Sequence, residues 1–179
     1  MTFCATACPN GWNAFARSGY TWCLKVFAFN DVEYDIAEQK CMREKTLLSA
    51  FESEQEWEFI RNEAKRMGLF GEIYVGIRRE IGCIKIQQVS RDLNAQCSIK
   101  TAFRLDPFTK NDYFYNKWNS GEPSGSDQRR AYVVNLVTAV SMIISNDNRH
   151  GYLKETFKRR WESDLKYDPR GFVCGTKAR

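Results

Sequence analysis

Cys8-Pro9-Asn10-Gly11-Trp12, followed by Tyr20-Thr21-Trp22-Cys23-Leu24-Lys25-Val26-Phe27, is the stretch on which the fold turns. Residues 20–27 are rich in aromatic and β-branched types, and this predicts a strand. The two cysteines belong to a set of seven: Cys4, Cys8, Cys23, Cys41, Cys83, Cys97 and Cys174. Structural zinc wants close C-x-x-C pairs with matching His or Cys partners. Here the only close pair is Cys4 with Cys8, and His150 is the sole histidine. Free thiols of a cytosolic chain are the other alternative. A disulfide framework formed in an oxidising compartment is the favoured reading.

Outward from this stretch, the pattern becomes helical. A helix is predicted from Asp31 to Lys45, with Val32, Ile36, Ala37 and Cys41 on one face and Asn30 or Asp31 as N-cap. In a second helix, Ser53 and Glu56 form a capping box, Trp57, Ile60, Ala64 and Met67 recur at helical spacing, and Gly68 offers the stop. Short β-branched runs then follow at Ile73–Ile77, Tyr132–Val137 and Gly171–Cys174. Helices early and strands late predict an α+β domain. Residues Asp106–Asp127 are aromatic, polar and aperiodic, as expected of long ordered loops, where binding residues tend to sit. With 179 residues and no linker or repeat, the chain reads as one domain at 8–175, with tails at 1–7 and 176–179.

The quoted residues, taken in order, resemble the long-form C-type lectin-like domains. Cys8-Pro9-x-Gly11-Trp12 and Trp22-Cys23 are similar to the family's N-terminal hairpin, and Ala37-Glu38-x-x-Cys41 to the end of its first helix. Leu48, Ser49, Ser53 and Glu56 resemble the link into the second helix. Tyr74-Val75-Gly76-Ile77 stands where the family has a Trp-Ile-Gly-Leu strand. Asn116-x-Trp118-x-x-Gly121-Glu122-Pro123 resembles the long loop, and Gly171-Phe172-Val173-Cys174-Gly175 the final strand. The resemblance implies a C-type lectin-like fold, with two helices against small antiparallel sheets. It also implies bridges Cys8–Cys23 and Cys41–Cys174, with Cys83–Cys97 as a local pair. Cys4 is left over, either free or available to link two chains as a dimer.

Sugar-binding members hold calcium through Glu-Pro-Asn around a cis proline, a further Glu, and Trp-Asn-Asp. This chain has Glu122-Pro123-Ser124, then Gln128, Arg129 and Arg130 near the further Glu, and Trp161-Glu162-Ser163 with Asp164 following. Calcium needs six to eight oxygens. With an amide replaced by a hydroxyl and a cation beside the site, the expectation is that no calcium or other cofactor is bound. Remaining ligand-binding candidates are Trp118, Glu122, Pro123, Ser124, Glu162 and Asp164. The family's short loop disulfide is also lost, its places falling near Tyr132 and Lys166. The stretch from Leu136 to Trp161 reads as a solvated insertion carrying Arg149, Lys154, Lys158, Arg159 and Arg160. A sharper reading joins Lys158, Arg159 and Arg160 to Arg129 and Arg130 as a basic surface for anionic glycans or an acidic protein.

Function class follows from what is absent as well. The net charge of +5 is modest, and no nucleic-acid motif accompanies it. No apolar run approaches the roughly 20 residues of a membrane span. Met1–Ala7 lacks the charged and apolar regions of a secretory leader. The cysteines outweigh this, so the chain is expected to be secreted or extracellular, its leader missing from the sequence. Nucleophilic catalysis needs a serine or cysteine beside a base; His150 lies in the insertion, and Glu162 with Asp164 reads better as salt-bridged surface than as a hydrolytic pair. The expected function is therefore recognition, not catalysis: a glycan or glycoconjugate bound without the calcium site, or alternatively a protein ligand.

Overall fold

The computed structural model describes residues 7–30, 32–86, 88–124, 138–157 and 169–179. Strands β1 (Asn13–Arg17) and β2 (Tyr20–Ala28) form a hairpin and lead into helix α1 (Tyr34–Arg43). The short β3 (Leu47–Leu48), helix α2 (Glu54–Arg66), β4 (Gly71–Arg79) and β5 (Phe103–Leu105) follow. The order closes with β6 (Thr138–Ile144), β7 (Leu153–Phe157) and β8 (Pro169–Lys177). The strands join in one sheet of order β1-β2-β8-β4-β6-β7, with β3 on β8 and β5 on β4. The last strand enters the middle, antiparallel to β2 and parallel to β4. Separate antiparallel sheets were expected; the insertion of β8 fuses them into one mixed sheet.

That central insertion explains the apolar composition of β4 and β8, since a strand covered on both faces must be apolar on both. Ile73, Val75, Ile77 and Val173 belong to one core cluster with Trp57, Ile60 and Ala64 of α2. Tyr74, Phe172 and Cys174, on the alternate positions, pack in a second cluster with Tyr34, Ala37 and Cys41 of α1. The period-2 alternation of the strands thus assigns one helix to each face.

Both helices depart from their predicted details. Helix α1 begins at Tyr34 with Glu33 as an N-cap that makes no side-chain bond, so Asn30 does not cap it; Asp31 lies outside the described residues. Ile36 is 39% exposed, and Tyr34 takes the inward place assigned to it. In α2, Ser53 Oγ accepts from Glu56 N at 3.3 Å, as a capping box requires. The return bond goes elsewhere: Glu56 accepts from Glu52 N and from the buried Arg17 guanidinium, each at 2.8 Å. A tertiary ion pair has displaced half of a local motif.

All three expected disulfides form: Cys8–Cys23, Cys41–Cys174 and Cys83–Cys97. Cys41–Cys174 ties α1 to the central β8 and closes a loop of sequence separation 133. Loop-closure entropy assigns such a bridge about 4–5 kcal/mol, drawn from the unfolded chain. Strand β8 runs past Gly175 to Lys177, and the backbones of Ala7 and Arg179 bond to each other at 3.0 and 3.3 Å, so the chain ends are pinned together. Cys4 and the predicted strand Tyr132–Val137 lie outside the described residues.

The stretch read as a solvated insertion is largely sheet. Val140, Met142, Ile144 and Leu153 are core residues of β6 and β7. Of its cations, the two among the described residues are matched: Arg149 pairs with Asp147 at 2.6 Å and Lys154 with Glu72 at 2.9 Å.

Candidate functional site

The loop ahead of β6 is fixed by backbone bonds before any side chain acts. Asn119 N donates to Leu153 O at 2.9 Å, and Glu122 N to Asn119 O at 2.9 Å. Gly121 has a φ of 81°, the left-handed turn that glycine accepts without strain. The Glu122–Pro123 peptide is cis. From the other side, Arg91 Nη2 donates to Glu122 O at 3.2 Å. Glu122, Pro123 and Ser124 therefore sit together at a defined position beside β7.

The Glu122 carboxylate is engaged within the protein. Oε2 accepts from Ser124 N at 2.9 Å and from Glu155 N at 3.4 Å; Oε1 accepts from Ser124 Oγ at 3.3 Å. Glu155, whose backbone N reaches Glu122, turns its own side chain inward. Its Oε1 lies 2.7 Å from Arg79 Nη2, with the two side chains 1% and 0% exposed. Burial pushes the Arg79 guanidinium below its ordinary pKa, and the Glu155 charge opposes that shift. Arg79 also lies over the Phe103 ring at 5.0 Å, and among the described residues its Nε and Nη1 find no hydrogen-bond partner.

Trp118 shares the loop but faces the interior. Its ring packs 4.8 Å from Phe103 and 6.2 Å from Phe114, and Nε1 donates to Ile99 O at 3.2 Å. This aromatic cluster seats the loop on β5 rather than presenting a stacking face. Of the other sequence candidates, Glu162, Asp164, Arg129, Arg130, Lys158, Arg159 and Arg160 lie outside the described residues. The sequence pattern does not single out Arg79 or Glu155, and Lys154 reads there only as a cation of the insertion.

As a cation site, the described donors fit poorly. Calcium requires six to eight oxygens. Both Glu122 oxygens are occupied by protein donors, Ser124 offers a hydroxyl, and Glu155 is committed to Arg79. Among the described residues no three His, Cys, Asp or Glu side chains converge on a common point. No helix among them is long and apolar enough to cross a membrane.

Solved structures share this architecture. The carbohydrate-recognition domain of cow CD23, crystallised in the presence of a GlcNAc2Man3 oligosaccharide, is 18% identical. The alignment covers 98% of this chain and 99% of that one, with a TM-score of 0.62. A calcium-independent type II antifreeze protein is 16% identical over 98% of each chain, with a TM-score of 0.61. Human lithostathine is 17% identical over 99% of this chain and 96% of its own, with a TM-score of 0.60. At these identities the likeness establishes the fold alone. No curated protein matches the chain in sequence. The sequence model of C-type lectin domain-containing protein 141/158 matches residues 8–177, covering both helices, the loop and the closing strand. The chain belongs to the C-type lectin domain-containing protein 141/158 family.

Proposed function

We propose that this domain is an extracellular recognition module that binds a glycan or glycoconjugate without the calcium-dependent sugar site, and that it is not an enzyme. The observation that carries the reading is the state of Glu122. A carboxylate that already accepts from Ser124 N, Ser124 Oγ and Glu155 N has most of its roughly four lone-pair sites engaged, so an ion would have to compete with those bonds. Its neighbour Glu155 is held by Arg79. Three disulfides support the extracellular assignment, since such bridges persist in oxidising compartments. The fold is compatible with both modes of action: one structural neighbour was solved with an oligosaccharide present, and another is described as calcium-independent.

A glycan array probed with and without chelator tests the proposal. Binding that persists in EDTA is the expected result. Signals abolished by EDTA and restored by calcium would overturn it. A protein ligand is the second reading, favoured by a cationic, apolar-floored groove beside α1.

A further inference from the structure

Two clefts of about 530 and about 400 Å³ flank β3. The first is walled by Tyr34, Glu38 and Met42 of α1 and by Arg104 and Leu105 of β5. The second lies between Trp22, Phe108, Lys45, Lys177 and Arg179. Met42 and Leu47 line both, so the two clefts form one groove with a shared ridge. Met42 is 66% exposed there, which leaves a large apolar side chain open to solvent where the two clefts meet.

The charge along this groove is one-sided. Glu38 is paired with Arg78 at 3.4 Å. Asp106 is buried and accepts from Ala50 N, Phe108 N and Thr109 Oγ1 at 2.7–2.9 Å, so its oxygens are turned to protein donors and not to the cleft opening. Lys45, Arg104, Lys177 and Arg179 have no carboxylate partner among the described residues. Lys177 is held over the rings of Tyr20 and Phe108 at 4.8 and 4.9 Å, which fixes a cation at the lip of the second cleft.

We propose that the groove docks an extended acidic segment of a partner protein. One apolar side chain of that segment seats against Met42 and Leu47, and flanking carboxylates meet Lys45, Arg104 and Lys177. The apolar floor decides against an anionic glycan, whose hydroxyls and sulfates would satisfy the cations but leave Leu47, Leu48 and Leu105 facing polar groups. Thioether and aliphatic carbons make favourable contact with an apolar side chain and offer nothing to a sugar hydroxyl. A second copy of the chain is disfavoured because a two-fold pairing of this face would bring its cations together. The inference stands apart from the glycan reading, because its residues lie on α1, β3, β5 and β8 and not on the Glu122 loop.

Titration of the ¹⁵N-labelled domain with a synthetic Glu-Asp-Leu-Leu-Asp-Glu hexapeptide tests it, with Lys-Arg-Leu-Leu-Arg-Lys as the control. Expected shifts map to Met42, Lys45, Leu47, Arg104 and Lys177, and the basic peptide gives none. Met42→Asp and the Lys45→Glu/Arg104→Glu double variant should each weaken binding at least about tenfold, the size expected when an anchor contact or two complementary charges are reversed. Both variants carry exposed changes, and an unaltered melting temperature shows that they fold. Four results would overturn the proposal: no shifts at millimolar acidic peptide; shifts confined to the Trp118–Ser124 loop; heparin bound by wild type and Met42→Asp alike in place of the peptide; or self-association abolished by Met42→Asp.

Discussion

Glu56→Ala should be among the most damaging single changes in this domain, although Glu56 sits in the first turn of α2 where a carboxylate is ordinarily worth a fraction of a kcal/mol. The structure explains the difference. Arg17 Nε and Nη2 each donate to Glu56 at 2.8 Å, and both side chains are 1% exposed. Removal of the carboxylate leaves a buried guanidinium with neutral acceptors, Phe108 O, Thr109 Oγ1 and Ala50 O, each at 3.3 Å, and only the more distant Glu52 carboxylate, 3.7 Å from Nε, to oppose its charge. Glu52 N loses its acceptor as well. Breaking one side of a buried pair costs about 3–5 kcal/mol. For a domain of this size each kcal/mol lowers the melting temperature by about 2–4 °C, so the expected fall is about 6–20 °C. Calorimetry and urea unfolding of the disulfide-intact protein at neutral pH measure both quantities. The Arg17→Met/Glu56→Met double variant should recover much of the loss, because no charge is then stranded. A cost for Glu56→Ala below about 1 kcal/mol, or a double variant as unstable as the sum of the singles, would refute the account.

Trp57→Ala should cost about 3–5 kcal/mol in urea unfolding, because the ring is 5% exposed and its Nε1 donates to Gly151 O at 2.6 Å; a loss under about 1 kcal/mol would show that the ring does not anchor α2. Gly76→Ala should lower stability by about 1–3 kcal/mol or more, since the new Cβ would fall 2.7 Å from Ser49 C and 2.8 Å from Ala50 N, and backbone cannot swing aside; wild-type stability in that variant would exclude the clash. Burial, with Arg61 and Lys65 nearby, lowers the His150 pKa against a weaker pull from Asp147. The neutral ring accepts from Ser145 N at 3.3 Å, so its contribution is present above the unfolded pKa near 6.5 and is lost as pH falls through that value toward the folded one. His150→Gln should therefore flatten part of the drop in melting temperature between about pH 7.5 and about pH 5, and an unchanged slope would remove His150 from the account.

The parts of this fold that were legible in sequence are those where local pattern and tertiary demand agree. The Trp57, Ile60, Ala64 stripe is periodic because α2 lies flat on the sheet, and the same residues form the core. Four cysteine positions follow the family order, so Cys8–Cys23 and Cys41–Cys174 could be named from it, whereas Cys83–Cys97 could be offered only as a local pair left over by the others. What was not legible required knowledge of a neighbour. Nothing local reveals that Arg17 takes the Glu56 carboxylate from its own capping box, because the two lie 39 residues apart. Leu153–Phe157 was read as part of a charged insertion because Lys154 and Glu155 interrupt the apolar alternation. Their partners, Glu72 and Arg79, both belong to β4 and are invisible until the sheet is assembled.

The Arg79–Glu155 pair also bears on calcium. Arg79 continues the Ile73, Val75, Ile77 face of β4, and Glu155 stands opposite Val140 in the β6–β7 register, so two charges close one end of an otherwise apolar face. Glu155 could reach an ion near Glu122 only by leaving Arg79. The guanidinium left behind would be buried and unpaired, at a cost of about 3–5 kcal/mol. A site that binds at millimolar concentration gains only about 4 kcal/mol. The two quantities cancel, and Glu122 would have to surrender its bonds from Ser124 and Glu155 in addition. The expected outcome in titration calorimetry is therefore no heat of calcium binding at millimolar concentration, for wild type and for Glu122→Gln alike. Stoichiometric uptake that Glu122→Gln abolishes would mean that the Glu155 charge is free to move, and that the buried pair is weaker than its geometry implies.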